Sequence, residues 1–181
     1  HRVDRRQRQM CIRDRINMEK ELKVLKFAMS MELDGHSFYD NYAKNVQNPA
    51  TKQLFEGLSK METAHYEYLK SQYDNLSNGK PIEKPDRNLG NPEIFNKNAA
   101  KEGNPSFETK ASDITLLRMA YLIEEDFMKF YKKAADNVDD EAVKNLLTNL
   151  SEWEKGHREM LGKQFESSWE KMGFNFSTWT F

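Results

Sequence analysis

Apolar residues recur at helical spacing in four stretches of this chain, and polar breaks of very different length separate them. Leu22, Leu25, Ala28 and Met29 run into Glu32, His36 and Tyr39 along one stripe, which predicts a helix from about Met18 to Val46. Asn48-Pro49 breaks it, and Pro49 suits the first turn of the next helix, where a missing N–H costs nothing. That second helix runs from about Ala50 to Leu76, with Leu54, Leu58, Met61, Glu62, His65 and Leu69 inward. Ser112-Asp113 reads as an N-terminal cap opening a third helix to about Asn137. Asp139-Asp140-Glu141 starts a fourth, to about Ser168, because acidic side chains favour a helix N-terminus. Between the two pairs lie residues 77–111, rich in proline, with one short helix expected around 92–102.

The two helical pairs are copies. "METAHYEYL" carries Glu62 and His65, "SEWEKGHREM" carries Glu154 and His157, and the offset is 92 in both cases. Residues 20–76 laid on 112–168 without a gap match at 19 of 57 positions, where chance gives about three. The matches include Leu25/Leu117, Ala28/Ala120, Glu32/Glu124, Phe38/Phe130, Tyr39/Tyr131, Leu54/Leu146 and Leu58/Leu150. Two short hairpin links and one long crossover describe an all-α, ferritin-like four-helix bundle built from repeated hairpins, 18–76 and 112–168.

Charge and composition narrow the function classes. The first 17 residues hold six Arg and two Asp, net +4, while the remainder has 22 Lys+Arg against 27 Asp+Glu, net −5. "MCIRDR" within them reads as the translation of a sequencing-library adapter, so residues 1–17 are expected to be non-native or a disordered arm, with the domain spanning 18–168. The body is acidic and has no basic patch, which argues against a nucleic-acid partner. No apolar run approaches the length of a membrane span, and a cytoplasmic setting is expected. Cys11 is the sole cysteine, so no intrachain disulfide and no cysteine-held iron can form. The tail 169–181 is aromatic and is expected to pack on the bundle or on a second subunit.

One glutamate per helix, with two of them followed by histidine three residues on, is the ligand arrangement known for ferritin-like di-iron proteins. This chain offers Glu32, Glu62 and His65, then Glu124, Glu154 and His157. A single E-x-x-H is common, and a helical glutamate is usually solvated. Surface glutamates, however, have no reason to stay on the apolar stripe in both halves of a diverged repeat. Carboxylate oxygens with imidazole nitrogens suit iron, with manganese or a mixed pair as the alternative. Four glutamates balance two divalent ions, so the filled site is neutral. Tyr39 and Tyr131 lie seven positions beyond Glu32 and Glu124 and can hydrogen-bond the ligand glutamates. His36, one turn from Glu32, is a weaker candidate for such support, because its repeat partner Met128 favours core packing.

"AMSMELDGHSFYDNYA" and "AYLIEEDFMKFYKKAA", each followed by a helix with E-x-x-H, resemble the rubrerythrin branch of the ferritin-like superfamily. The resemblance implies a two-iron centre held by the six residues above, in a homodimer or higher oligomer. It further implies reduction of hydrogen peroxide by electrons from a separate donor such as a rubredoxin, since no rubredoxin-like domain is expected here. The family carries an extra glutamate three residues after the helix-three ligand; this chain has Phe127 there. That departure keeps a second expectation open, oxidation of ferrous iron by dioxygen in iron storage or homeostasis.

Overall fold

The computed structural model describes residues 2–86, 89 and 111–170, with residues 2–15 as backbone only. Four helices make up the fold: α1 (Arg2–Ala43), α2 (Pro49–Ser77), α3 (Ala111–Ala135) and α4 (Glu141–Glu170), with no strand among the described residues. The expected four-helix bundle is therefore the one observed. The short helix expected around 92–102 lies outside the described residues, as does all of the aromatic tail beyond Glu170. No helix among the described residues is long and apolar enough to cross a membrane.

Helix limits agree with the periodicity within a few residues, with one exception. α1 begins at Arg2, not near Met18. Residues 2–17 contain neither proline nor glycine and six arginines, so nothing in them stops a helix already nucleated downstream.

α1 packs along α2 and α3 along α4, while contacts between the two hairpins are fewer. The hairpins are locked at their ends by a reciprocal pair of buried carboxylates. Asp113, expected to cap its own helix, instead lies buried in the first turn of α3 and accepts from the backbone N–H of Gln47 and Asn48 at 3.0 and 2.8 Å. Glu21, its counterpart at offset 92, accepts from Asp140 N–H at 3.0 Å. Asn48 and Asp140 are themselves repeat partners, and each caps the helix that follows it. The Asn48 side chain accepts from Thr51 N–H, and that of Asp140 accepts from Ala142 and Val143 N–H. Each hairpin thus fixes the loop that starts the other's second helix.

The core is split the same way. Tyr39, Ala43, Val46, Phe55, Leu58, Leu117, Ala120 and Leu161 form one buried cluster. Their repeat partners Tyr131, Ala135, Val138, Leu147, Leu150, Leu25, Ala28 and Leu69 belong to the other. Between two mirror clusters a pseudo-two-fold axis leaves one central layer, and that layer is polar.

Candidate metal centre

Glu32 from α1, Glu62 and His65 from α2, Glu124 from α3, and Glu154 and His157 from α4 meet in this layer, all 0 or 1 % exposed. The i,i+3 spacing puts each Glu–His pair on one inward face, and the repeat supplies that face twice. The donor atoms fall into two overlapping groups, each with every atom within 4.8 Å of the others. Glu32, Glu62, His65 and Glu154 make one; Glu62, Glu124, Glu154 and His157 make the other. Glu62 and Glu154 belong to both.

Both histidines aim Nδ1 at the carboxylates. His65 Nδ1 lies 3.4 Å from Glu32 Oε2, 3.5 Å from Glu62 Oε2 and 3.4 Å from Glu154 Oε1. His157 Nδ1 lies 3.2 Å from Glu62 Oε1, 3.5 Å from Glu124 Oε2 and 2.9 Å from Glu154 Oε2. The two imidazoles stack, with centroids 5.3 Å apart and planes within 6°. On the far side of its ring, His65 Nε2 lies 3.1 Å from the Leu89 carbonyl. A carbonyl can only accept, so Nε2 carries a proton, and in the neutral ring the Nδ1 lone pair is the one available to a ligand.

The chain after α2 is tied back to that helix. α2 closes with Gly79 at φ 68°, in the left-handed region that glycine favours. The chain then returns along the helix it has just left. Glu83 N–H donates to Gln72 Oε1 at 2.7 Å, and the Tyr68 hydroxyl donates to Glu83 O at 2.9 Å. Gln72, Tyr68 and His65 are successive turns of one stripe, so Glu83 and the Leu89 carbonyl both meet the same face of α2.

Burial and mutual charge set how this cluster holds its protons. Burial, then the charges of Glu154 and Glu62, push Glu32 well above the usual carboxylate range, and burial with Glu62 and Glu154 does the same to Glu124. Burial also opposes ionisation of Glu62 and Glu154, but His157 and His65 beside them bring both below it. Burial would lower His65 and His157; the surrounding carboxylates outweigh it and raise both. Even so, Glu32 Oε2, both oxygens of Glu62 and Glu154, Glu124 Oε2 and both histidine Nδ1 atoms have no hydrogen-bond partner. So many buried, converging and unpartnered donors are what a pair of divalent cations would satisfy.

The remaining sequence candidates separate. Tyr39 donates to Glu124 Oε1 and Tyr131 to Glu32 Oε1, so each tyrosine serves the glutamate of the other hairpin. Seven residues along one helix is about 10 Å, too far for a direct bond; antiparallel packing of α1 on α3 brings the crossed partners level. His36 does not support the cluster. Its Nδ1 lies 3.0 to 3.1 Å from Ser59 Oγ, Ser59 O and Thr63 Oγ1 at the partly exposed α1–α2 seam. Phe127 is buried against Gly35, its repeat partner: a Cβ on Gly35 would meet the Phe127 ring at 3.1 Å and Glu62 Cγ at 3.4 Å. The ring occupies the space that the missing side chain leaves beside Glu62. Sequence reasoning misses Glu21 and gives Asp113 only as a helix cap, although the repeat aligns the two; the Leu89 carbonyl has no sequence signal at all.

The sequence signature of the Rubrerythrin family matches residues 23–165. Among solved structures, a hypothetical protein from Pyrococcus furiosus is similar at 25% identity and a TM-score of 0.60, over 83% of this chain and 90% of that one. No curated protein matches the chain.

Proposed function

This chain belongs to the rubrerythrin family, and on that premise we propose that it is a non-haem di-iron oxidoreductase that reduces hydrogen peroxide with electrons from a separate donor protein. The observation that carries the reading is the convergence of four buried glutamates and two buried histidines into two groups sharing Glu62 and Glu154. Glu32 and His65 would help hold one ion, Glu124 and His157 the other, and the shared Glu62 and Glu154 would contribute to both; manganese suits the same donors. Bound iron would supply the two electrons that cleavage of one peroxide O–O bond requires.

The chain's own contribution is preorganisation. Tyr39 and Tyr131 hold one oxygen each of Glu124 and Glu32 and leave the other free to turn toward the centre. The Leu89 carbonyl fixes the His65 tautomer. The mirror apolar clusters above and below exclude water, so these few polar contacts act at full strength. The reading carries with it a cytoplasmic setting and a homodimer or larger assembly.

One observation favours a second reading, oxidation and handling of ferrous iron with dioxygen. Phe127 puts an apolar ring beside Glu62 at the position where the family has a further glutamate. Anaerobic stopped-flow of the iron-loaded, reduced protein against peroxide and against dioxygen separates the two. Faster oxidation by peroxide is expected, and Phe127→Glu, which returns a carboxylate one turn from Glu124, is expected to widen the difference. Faster reaction with dioxygen, with iron loading beyond two per chain, would replace the peroxidase reading by the iron-handling one.

A further inference from the structure

The polar layer is symmetric in its six ligands but not in what surrounds them. Trp153, immediately before Glu154 on α4, is partly exposed, and its indole stacks on the His65 imidazole with centroids 4.9 Å apart and planes 25° apart. The His65 ring is in turn stacked on that of His157. A run of parallel π-systems therefore leads from a partly exposed side chain to the two imidazoles whose Nδ1 atoms face the carboxylates. The repeat partner of Trp153 is Met61, which is buried and has no π-system, so the other hairpin offers no such run. Tyr68 flanks the indole at 6.0 Å, and its hydroxyl is committed to Glu83 O.

We propose that Trp153 is the port through which electrons from a one-electron carrier protein reach the centre. The proposal rests on the di-iron reading above. Each transfer oxidises the carrier by one electron and reduces one ferric ion to ferrous, so two transfers restore the centre after one peroxide has been consumed. The indole stores no charge; it couples donor to acceptor because electronic overlap decays steeply across empty space and far less across stacked rings in contact. A filler of this volume needs no aromatic plane, as Met61 shows in the equivalent place. A ring set nearly parallel to a ligand imidazole, with part of its surface open, is the arrangement that coupling requires.

The test compares wild type with Trp153→Met, which installs the repeat partner's residue, and with Trp153→Phe, which keeps a ring. The iron-loaded, oxidised protein is mixed with methyl viologen radical, and the rate of reduction is divided by the rate at which the reduced protein reacts with peroxide. That ratio should fall at least tenfold in Trp153→Met and recover most of the loss in Trp153→Phe. An unchanged ratio in Trp153→Met overturns the port. A second readout needs no turnover: in a Trp169→Phe/Trp179→Phe background, Trp153 emission should be quenched as cobalt(II) fills the site and not as zinc(II) does. Emission that ignores cobalt while two ions bind also overturns the port. Failure of either metal to bind, or of peroxide to oxidise the reduced protein, would instead reject the di-iron reading itself.

Discussion

The Tyr39 hydroxyl on α1 donates to the Glu124 carboxylate on α3, a bond between hairpins that its repeat image, Tyr131 to Glu32, returns. Each bond is buried, and each fixes a carboxylate whose second oxygen faces the centre. Tyr39→Phe should therefore weaken both the fold and the site. Loss of one buried hydrogen bond to a carboxylate is expected to cost about 1–3 kcal/mol in urea denaturation. Metal affinity should fall about 10–100-fold, as for other outer contacts to metal ligands. A Tyr39→Phe protein with unchanged cobalt(II) affinity would show that the hydroxyl does not orient Glu124.

The two donor groups overlap unequally, and this sets a stoichiometric prediction. Glu32 and Glu124 serve one group each, whereas Glu62 and Glu154 serve both. Glu32→Gln or Glu124→Gln should bring metal content from two ions per chain toward one. Glu62→Gln or Glu154→Gln should deplete both positions while the protein stays helical. Metal analysis after dialysis, beside far-ultraviolet circular dichroism, checks this. Two ions retained in Glu62→Gln/Glu154→Gln would remove the shared role.

Stability should respond to pH in opposite senses with and without metal. In the metal-free protein Glu32, Glu124, His65 and His157 hold protons more tightly than in the unfolded chain. Their contribution is complete below the unfolded values, 4.5 for Glu and 6.5 for His, and fades as pH rises through the raised folded ones. Glu62 and Glu154 are lowered, so theirs is present above 4.5 and lost as pH falls. Metal-free protein should thus melt lower at about pH 8 than at about pH 5. Bound metal displaces the protons, about four for a pair of ions, so its stabilisation should grow over the same range. At a hundred times the dissociation constant it amounts to about 2.7 kcal/mol. Calorimetry at both pH values, with and without zinc(II), tests the crossing; a metal-free protein more stable at pH 8 contradicts it.

Asp113 offers a test of the fold apart from the metal. Its carboxylate satisfies two backbone donors of the α1–α2 link. Asp113→Ala removes the carboxylate that accepts from both N–H groups, at an expected cost of about 1–3 kcal/mol. Thermal melting of the metal-free variant gives the measurement, and Glu21→Ala should behave similarly because Asp140 N–H stands in the mirror position.

The four helices and the six converging side chains were legible because all of them are periodic. Helical spacing marks the elements, and the offset of 92 marks what was duplicated with them. Contacts between elements were not. Periodicity places Tyr39 on the stripe of Glu32 but cannot say that antiparallel packing sets it level with Glu124. His36 lies on that same stripe, yet the spacing does not reveal that it turns to Ser59 and Thr63. Asp113 sits where a cap belongs; which backbone it serves depends on how the hairpins dock. The Leu89 carbonyl belongs to the main chain, and any residue could have supplied it.

The mirrored hairpins bear on how such a chain can change over time. Each donor group draws on both halves, Glu32, Glu62 and His65 from one and Glu154 from the other, so a lone hairpin would have to associate with a second copy to assemble either. In such a pair of separate copies every substitution appears twice, once on each side of the axis. Covalent fusion removes that constraint. Gly35 can face Phe127, His36 can answer to Met128, and Met61 to Trp153, each side specialising while the six converging side chains stay alike. A homodimer has to use its two faces identically; a fused one can keep one face closed and leave the other open to a partner.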